Sequence, residues 1–123
     1  MKRLTKAEEE IMLILWDIGE GFVNDILKKI AAPKPAYNTV STIVRILERK
    51  EFVGYRSFGK SHQYYPIVDK KAYTGQYLKF IIKDYFQGSF KEMVSFLAKE
   101  DNLSISELDE LTKQIQDIKT KKK

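Results

Sequence analysis

The sequence predicts a mainly α-helical protein: a winged helix-turn-helix of three helices and a β-hairpin, followed by a helical dimerisation domain. Three observations carry this. Apolar residues recur at helical spacing in three short segments before residue 50. Two β-forming runs flank Gly59-Lys60-Ser61. Helical periodicity returns from about residue 70, with more apolar surface than so short a segment can bury alone. The expected division is 1–70 for the first domain, 71–119 for the second and 120–123 for a basic tail.

The first helix is signposted by Thr5-Lys6-Ala7-Glu8, a capping box in which Thr and Glu satisfy each other's backbone N–H groups. Ile11, Ile14, Leu15 and Ile18 follow at helical spacing, and Gly19-Glu20-Gly21 ends the run. Val23, Ile26, Leu27 and Ile30 mark a short second helix. Pro33 and Pro35 break it, because proline lacks an N–H and restricts the residue before it.

The third helix, from about Tyr37 to Lys50, buries Val40, Ile43, Val44 and Leu47. Its other face carries Asn38, Ser41, Thr42, Arg45, Glu48 and Arg49. Short hydroxyl residues near a helix start allow close approach to a surface, and the free N–H groups there favour phosphate. Phe52–Phe58 and His62–Val68 are rich in β-formers and read as a hairpin, with Lys60 at its tip and Arg56 on the approaching strand.

Beyond residue 70, Tyr73, Tyr77, Leu78, Ile81, Ile82, Tyr85 and Phe86 form a broad apolar surface. Phe90, Met93, Val94, Leu97 and Ala98 form a second helical face after Gly88-Ser89. Asp101-Asn102 breaks the chain again, and Ser104 to Glu107 is another capping box. Leu108, Leu111, Ile115 and Ile118 then recur as in a coiled-coil seam. A partner chain is expected to cover these faces.

Charge points to the kind of ligand. The 123 residues carry 22 Lys+Arg and 17 Asp+Glu, a net +5. Residues 34–64 hold six basic residues against two acids, and residues 76–123 nine against eight. A focused basic segment suits a polyanion, and its bland reading is an ordinary solvated surface. Cysteine is absent, so no disulfide, thiolate metal site or cysteine nucleophile is available. No P-loop, dinucleotide fingerprint or nucleophile elbow is present, and an enzyme is not expected. Glu8/Glu9 and Asp109/Glu110 read as solvated helix faces. His62, the single histidine, reads as a hairpin residue and Trp16 as core. The start lacks a signal-peptide core, and Ile11–Trp16 is too short to span a bilayer, so a cytoplasmic protein without cofactor or metal is expected.

Thr5-Lys6-Ala7-Glu8-Glu9-Glu10-Ile11-Met12 leading to Trp16, Asn38-Thr39-Val40-Ser41-Thr42-Ile43 leading to Leu47, and Gln63-Tyr64-Tyr65-Pro66 fall in a recognisable order. With Tyr85–Phe90 and Leu103–Leu111, the chain resembles the penicillinase-repressor (BlaI/MecI) family of winged-helix repressors over nearly its whole length. The resemblance implies a homodimer on operator DNA built from inverted TACA/TGTA-type elements. It implies control of a β-lactam-resistance or related stress regulon. It places Asn38, Thr39, Ser41 and Thr42 at the major groove. Some relatives carry basic residues at the positions of Asn38 and Ser41. Arg can also occur at the position of Ile46, while here Arg45 lies one place earlier.

By position, Arg45 and Arg49, then Arg56 and Lys60 on the wing, suit the DNA backbone. The resemblance also implies a membrane sensor-protease that cuts the repressor in its second C-terminal helix, where Ser95-Phe96 stands in place of an Asn-Phe pair. Copper-sensing relatives carry a C-terminal cysteine cluster, which this chain lacks. The competing class is a winged-helix protein-interaction module with no affinity for DNA.

Overall fold

A computed structural model of the protein describes residues 2–101 and 104–121, with side chains through residue 117. The order is α1 (Lys6–Ile18), α2 (Val23–Lys29), α3 (Tyr37–Arg49), β1 (Val53–Phe58), β2 (Ser61–Pro66), α4 (Lys70–Phe86), α5 (Phe90–Glu100) and α6 (Ile105–Lys121). The chain forms two compact units, Met1–Tyr77 and Leu78–Lys123.

In the first unit the expected capping box closes α1. Thr5 Oγ1 accepts from the Glu8 N–H at 3.2 Å, and the Glu8 carboxylate accepts from the Thr5 N–H at 2.8 Å. Ile11, Met12 and Leu15 are buried on the inner face. Gly19, with φ +86°, ends the helix in a conformation that a side chain would disfavour. At the end of α2 the Lys34 ammonium donates to the carbonyls of Leu27, Lys28 and Ile30 at 2.8–3.1 Å. The Leu27 carbonyl also accepts from the Ile30 N–H at 3.2 Å, and a cation at this helix end complements its dipole.

Val40, Val44 and Leu47 of α3 are fully buried. The helix ends in a Schellman motif. Phe52 N–H donates to Leu47 O at 2.9 Å and Glu51 N–H to Glu48 O at 3.0 Å. Glu51 takes the left-handed conformation (φ +64°) in which glycine is usual. Phe52, locked by this turn, is buried beside Leu47 in the same core.

The hairpin pairs Val53 with Pro66 through Phe58 with Ser61, antiparallel. Its loop is therefore two residues, Gly59-Lys60, with Gly59 at φ +63° in the first position. Ser61, expected in the turn, opens β2 instead. A contact invisible to periodicity adds a one-residue antiparallel bridge to the two-stranded sheet: Gly21 and Tyr64 exchange N–H···O bonds of 2.9 and 2.8 Å. This fixes the hairpin to the loop between α1 and α2.

The first turns of α4 also belong to this unit. Tyr73 is buried, its ring 5.8 Å from Trp16 and 5.7 Å from Phe52. Its hydroxyl accepts from the Leu4 N–H and donates to Glu9 at 2.7 Å. Burial, then the bond to Glu9, pushes this phenol up to about 12. Trp16 is half-buried and its indole N–H donates to Val68 O at 2.9 Å.

Glu8 corrects the reading of Glu8/Glu9 as a solvated pair. It is 4% exposed, and Lys50 donates to both its oxygens at 2.8 and 2.9 Å. Burial by itself would raise this carboxyl. The Lys50 ammonium and the two Thr5 bonds outweigh it and hold the group below the ordinary carboxylate value.

The second unit contains the rest of α4 with α5 and α6. Ser89 caps α5 by accepting from the Glu92 N–H at 3.1 Å, and Ser104 caps α6 by accepting from the Glu107 N–H at 3.1 Å. Phe86 and Phe96 pack with ring centroids 5.7 Å apart. No side chain of α5 is buried, and Leu78, Tyr85, Phe90, Phe96, Leu97, Leu111 and Ile115 are exposed. α6 continues to Lys121, through the first two residues of the expected tail. Asn102, Leu103, Lys122 and Lys123, and the side chain of Ile118, lie outside the described residues.

Candidate nucleic-acid interface

Burial of Val40, Val44 and Leu47 fixes which way α3 faces. At 3.6 residues per turn, Asn38, Thr42 and Arg49 fall on the line opposite that core, and all three are exposed. Tyr37, Ser41 and Arg45, each one turn from the next, form a parallel row that lines a groove between α3 and the hairpin. Thr39 is exposed on the other flank, near half-buried Ile46.

The Thr42 hydroxyl donates to Asn38 O at 2.8 Å. In this rotamer its proton is engaged within the helix, and it offers an outside donor only its lone pairs.

The groove has a volume of about 450 Å³. Lys60 and His62 of the hairpin line one side, Tyr37, Ser41 and Arg45 of α3 another, and Asn24 and Asp25 of α2 close it. Asp25 is committed to structure, since its carboxylate accepts from the Phe22 N–H at 2.8 Å. Tyr64 forms part of the wall. Burial raises its phenol first, the Glu48 charge adds to that, and Arg45 opposes it. Arg45 thus lies on the hairpin side of α3.

The six basic residues of the 34–64 segment do not act alike. Lys34 caps α2 and Lys50 pairs with Glu8. Arg56 pairs with Glu20 and lies over the Tyr65 ring, 4.8 Å from its centroid. Strand alternation also turns Arg56 away from the neighbouring Tyr55 and Ser57. Arg45, Arg49 and Lys60 are exposed, and none of them makes an ion pair among the described residues. Asn38, Ser41, Thr42, Arg45, Arg49 and Lys60 therefore share one side of the domain, whereas Arg56 is held elsewhere.

Sequence reasoning missed Tyr37, Ser61 and His62. Strand alternation with Tyr64 was the available signal for His62, once Tyr64 is known to face the core. Ser95 and Phe96 lie within α5, both exposed. No group of His, Cys, Asp and Glu among the described residues is arranged to hold a metal ion, and no described helix is long and apolar enough to cross a membrane.

Known proteins are similar to this chain over most of its length. The model of the penicillinase repressor family matches residues 4–117. The methicillin resistance regulatory protein MecI of Staphylococcus aureus (strain N315) is 28% identical over 109 residues, which is 88% of this chain and 89% of that protein. The penicillinase repressor of Bacillus licheniformis is 23% identical over 98% of this chain and 95% of that protein. Among solved structures, the DNA-binding domain of the repressor BlaI superposes with a TM-score of 0.51 at 23% identity, covering 59% of this chain and 94% of that one. This last likeness is one of fold.

Proposed function

The chain belongs to the penicillinase repressor family of DNA-binding transcriptional repressors, and on that premise we propose that it works as a homodimer on inverted-repeat operator DNA. The observation that carries this reading is the alignment of two features. The outward row Asn38-Thr42-Arg49 lies beside a groove bearing Arg45 and Lys60, two cations without an ion pair among the described residues. Asn38, Thr39, Ser41 and Thr42 read base edges, and Arg45, Arg49 and Lys60 hold phosphates. The ion pair with Glu20 gives Arg56 the weakest claim to a phosphate. The exposed apolar faces of α4, α5 and α6 support dimerisation through the second unit. Two recognition helices then occupy successive major grooves and obstruct the promoter.

Release follows the same logic. A membrane sensor-protease that cut Ser95–Phe96 would remove half of α5 and all of α6 from the dimer contacts. The second half-site would then lose its effective concentration. Mass spectrometry of repressor from induced cells tests this: a fragment ending at Ser95 supports it, and intact released repressor refutes it.

The direct test of DNA binding is fluorescence anisotropy on a duplex of about 30 base pairs with inverted TACA/TGTA elements, against a scrambled duplex, over a salt series. Tighter binding to the inverted repeat with a steep salt slope is expected. Ser41→Ala and Thr42→Ala should change sequence preference. Arg45→Ala and Lys60→Ala should each flatten the salt slope by about one unit per protomer and weaken all duplexes alike. Binding of neither duplex at any salt concentration would favour a protein-interaction module.

A further inference from the structure

His62 lies on β2 with its imidazole in the groove between α3 and the hairpin. The ring stacks on Tyr55, with centroids 4.1 Å apart and planes at 10°, and meets Tyr64 edge-on at 6.1 Å. Stacking fixes the ring plane and leaves the two nitrogens on the ring edge. Neither makes a hydrogen bond among the described residues. The charged groups around it come from each wall of the groove: Arg45 from α3, Lys60 from the turn and Asp25 from α2, with Glu48 behind Tyr64. Tyr37, Tyr55 and Tyr64 are the neutral titratable neighbours. Asp25 is held by the Phe22 N–H, so the cations are the groups left to receive an anion.

We propose that His62 is a phosphate contact that takes up a proton from solvent when DNA binds. The proposal rests on the DNA-binding reading above and adds its pH dependence. A phosphate drawn into the groove by Arg45 and Lys60 brings a negative charge to the imidazole edge. An opposite charge within about 4–6 Å favours the protonated ring. The ring then donates to a phosphate oxygen in a charge-assisted bond. The sign follows from linkage. The imidazole binds its proton more tightly in the complex than in the free protein, so affinity is highest at low pH. It falls as pH rises through the titration of the complex. A rise of about one unit in the imidazole midpoint on binding tightens binding by at most about tenfold per protomer, with the full gain on the acid side of the titration and none on the alkaline side. One further neutralised phosphate also steepens the salt slope by about 0.9 per protomer at the lower pH.

Because the chain has one histidine, an untagged sample gives a single imidazole Hε1 signal by NMR. The experiment follows that signal from about pH 5 to 9, free and bound to a random duplex of about 30 base pairs, beside anisotropy at pH 6 and 8 at constant ionic strength. A higher titration midpoint in the complex is expected, with tighter binding at pH 6. His62→Gln should bind equally at both pH values, as the parent does at pH 8. His62→Arg should bind equally at both, as the parent does at pH 6. An unchanged midpoint on binding overturns the proposal, as does pH dependence that survives in His62→Gln. Either result with salt-dependent binding intact leaves the repressor reading standing. Failure of the parent protein to bind any duplex at either pH overturns both. The NMR titration reads the parent chain, so it decides even if a variant misfolds.

Discussion

The two units of this chain use similar residues to opposite ends. In Met1–Tyr77 the apolar residues of three helices, a hairpin and the start of α4 converge, and fourteen are buried in one cluster. In Leu78–Lys123 three helical stretches also carry apolar residues, yet none of the described side chains there is buried. Periodicity establishes that a helix has an apolar face. It does not say whether the same chain supplies the cover. The first unit has sheet, loop and helix to close around its core, whereas the second has only helices, which fits a core completed by a second copy.

Truncation breaks this comparison most directly. Residues 1–77 should fold cooperatively and remain monomeric in sedimentation. Their affinity for a two-half-site operator should fall by about 10²–10⁴ relative to the full chain, because the effective concentration of the second domain is lost. Ending the fragment at residue 72 removes Tyr73, with its ring contacts and its two hydrogen bonds, and should lower stability by about 3–5 kcal/mol relative to 1–77 in urea unfolding. A self-associating 1–77 fragment would place the dimer contacts in the wrong unit.

Single core substitutions come next. Leu47→Ala should destabilise the first unit by about 2–5 kcal/mol, the range for deleting a fully buried leucine. Leu111→Ala should leave urea unfolding of that unit unchanged and weaken self-association, measured by sedimentation over a dilution series.

The buried ion pair offers a smaller effect with a defined pH window. Lys50→Met leaves the Glu8 carboxylate without its cation and should cost about 1–3 kcal/mol at pH 7, less than a fully enclosed pair because Lys50 is partly exposed. Glu8 is held below its unfolded value, so its contribution is present above that value. It is lost as pH falls through the folded one, and Lys50→Met should flatten the acid limb of a stability–pH curve. Tyr73 works in the opposite direction. Its phenol is raised to about 12, so its contribution is complete below the ordinary tyrosine value and is lost as pH climbs towards 12. Tyr73→Phe should flatten the alkaline limb.

The smallest effect concerns Glu51. A non-glycine residue at φ +64° carries a steric cost that glycine avoids. Glu51→Gly should therefore stabilise the first unit by about 0.5–1 kcal/mol in thermal or urea unfolding. A loss of stability would mean that the Glu51 side chain makes a contribution larger than its backbone strain.

Much of the candidate site was legible in the chain itself. The buried stripe of α3 dictates its polar stripe, so Asn38, Thr42 and Arg49 follow from periodicity alone. The roles of the basic residues did not follow. Lys34, Lys50 and Arg56 are as basic as Arg45 and Lys60 in a one-dimensional reading. Yet their partners are the Leu27 carbonyl, Glu8 and Glu20, with the last two 42 and 36 positions away.

The sequence by itself determined the order of the elements, the caps at Thr5 and Ser104, the mainly helical class and the outward face of α3. Each depends on residues within a turn or two of one another, where spacing translates directly into geometry. Only the tertiary structure decided that Glu8 is buried, that Tyr73 belongs to the first core, that Gly21 pairs with Tyr64, and which cations remain to meet an anion. Those outcomes depend on groups brought together from distant parts of the chain, and burial and charge pairing are properties of that meeting.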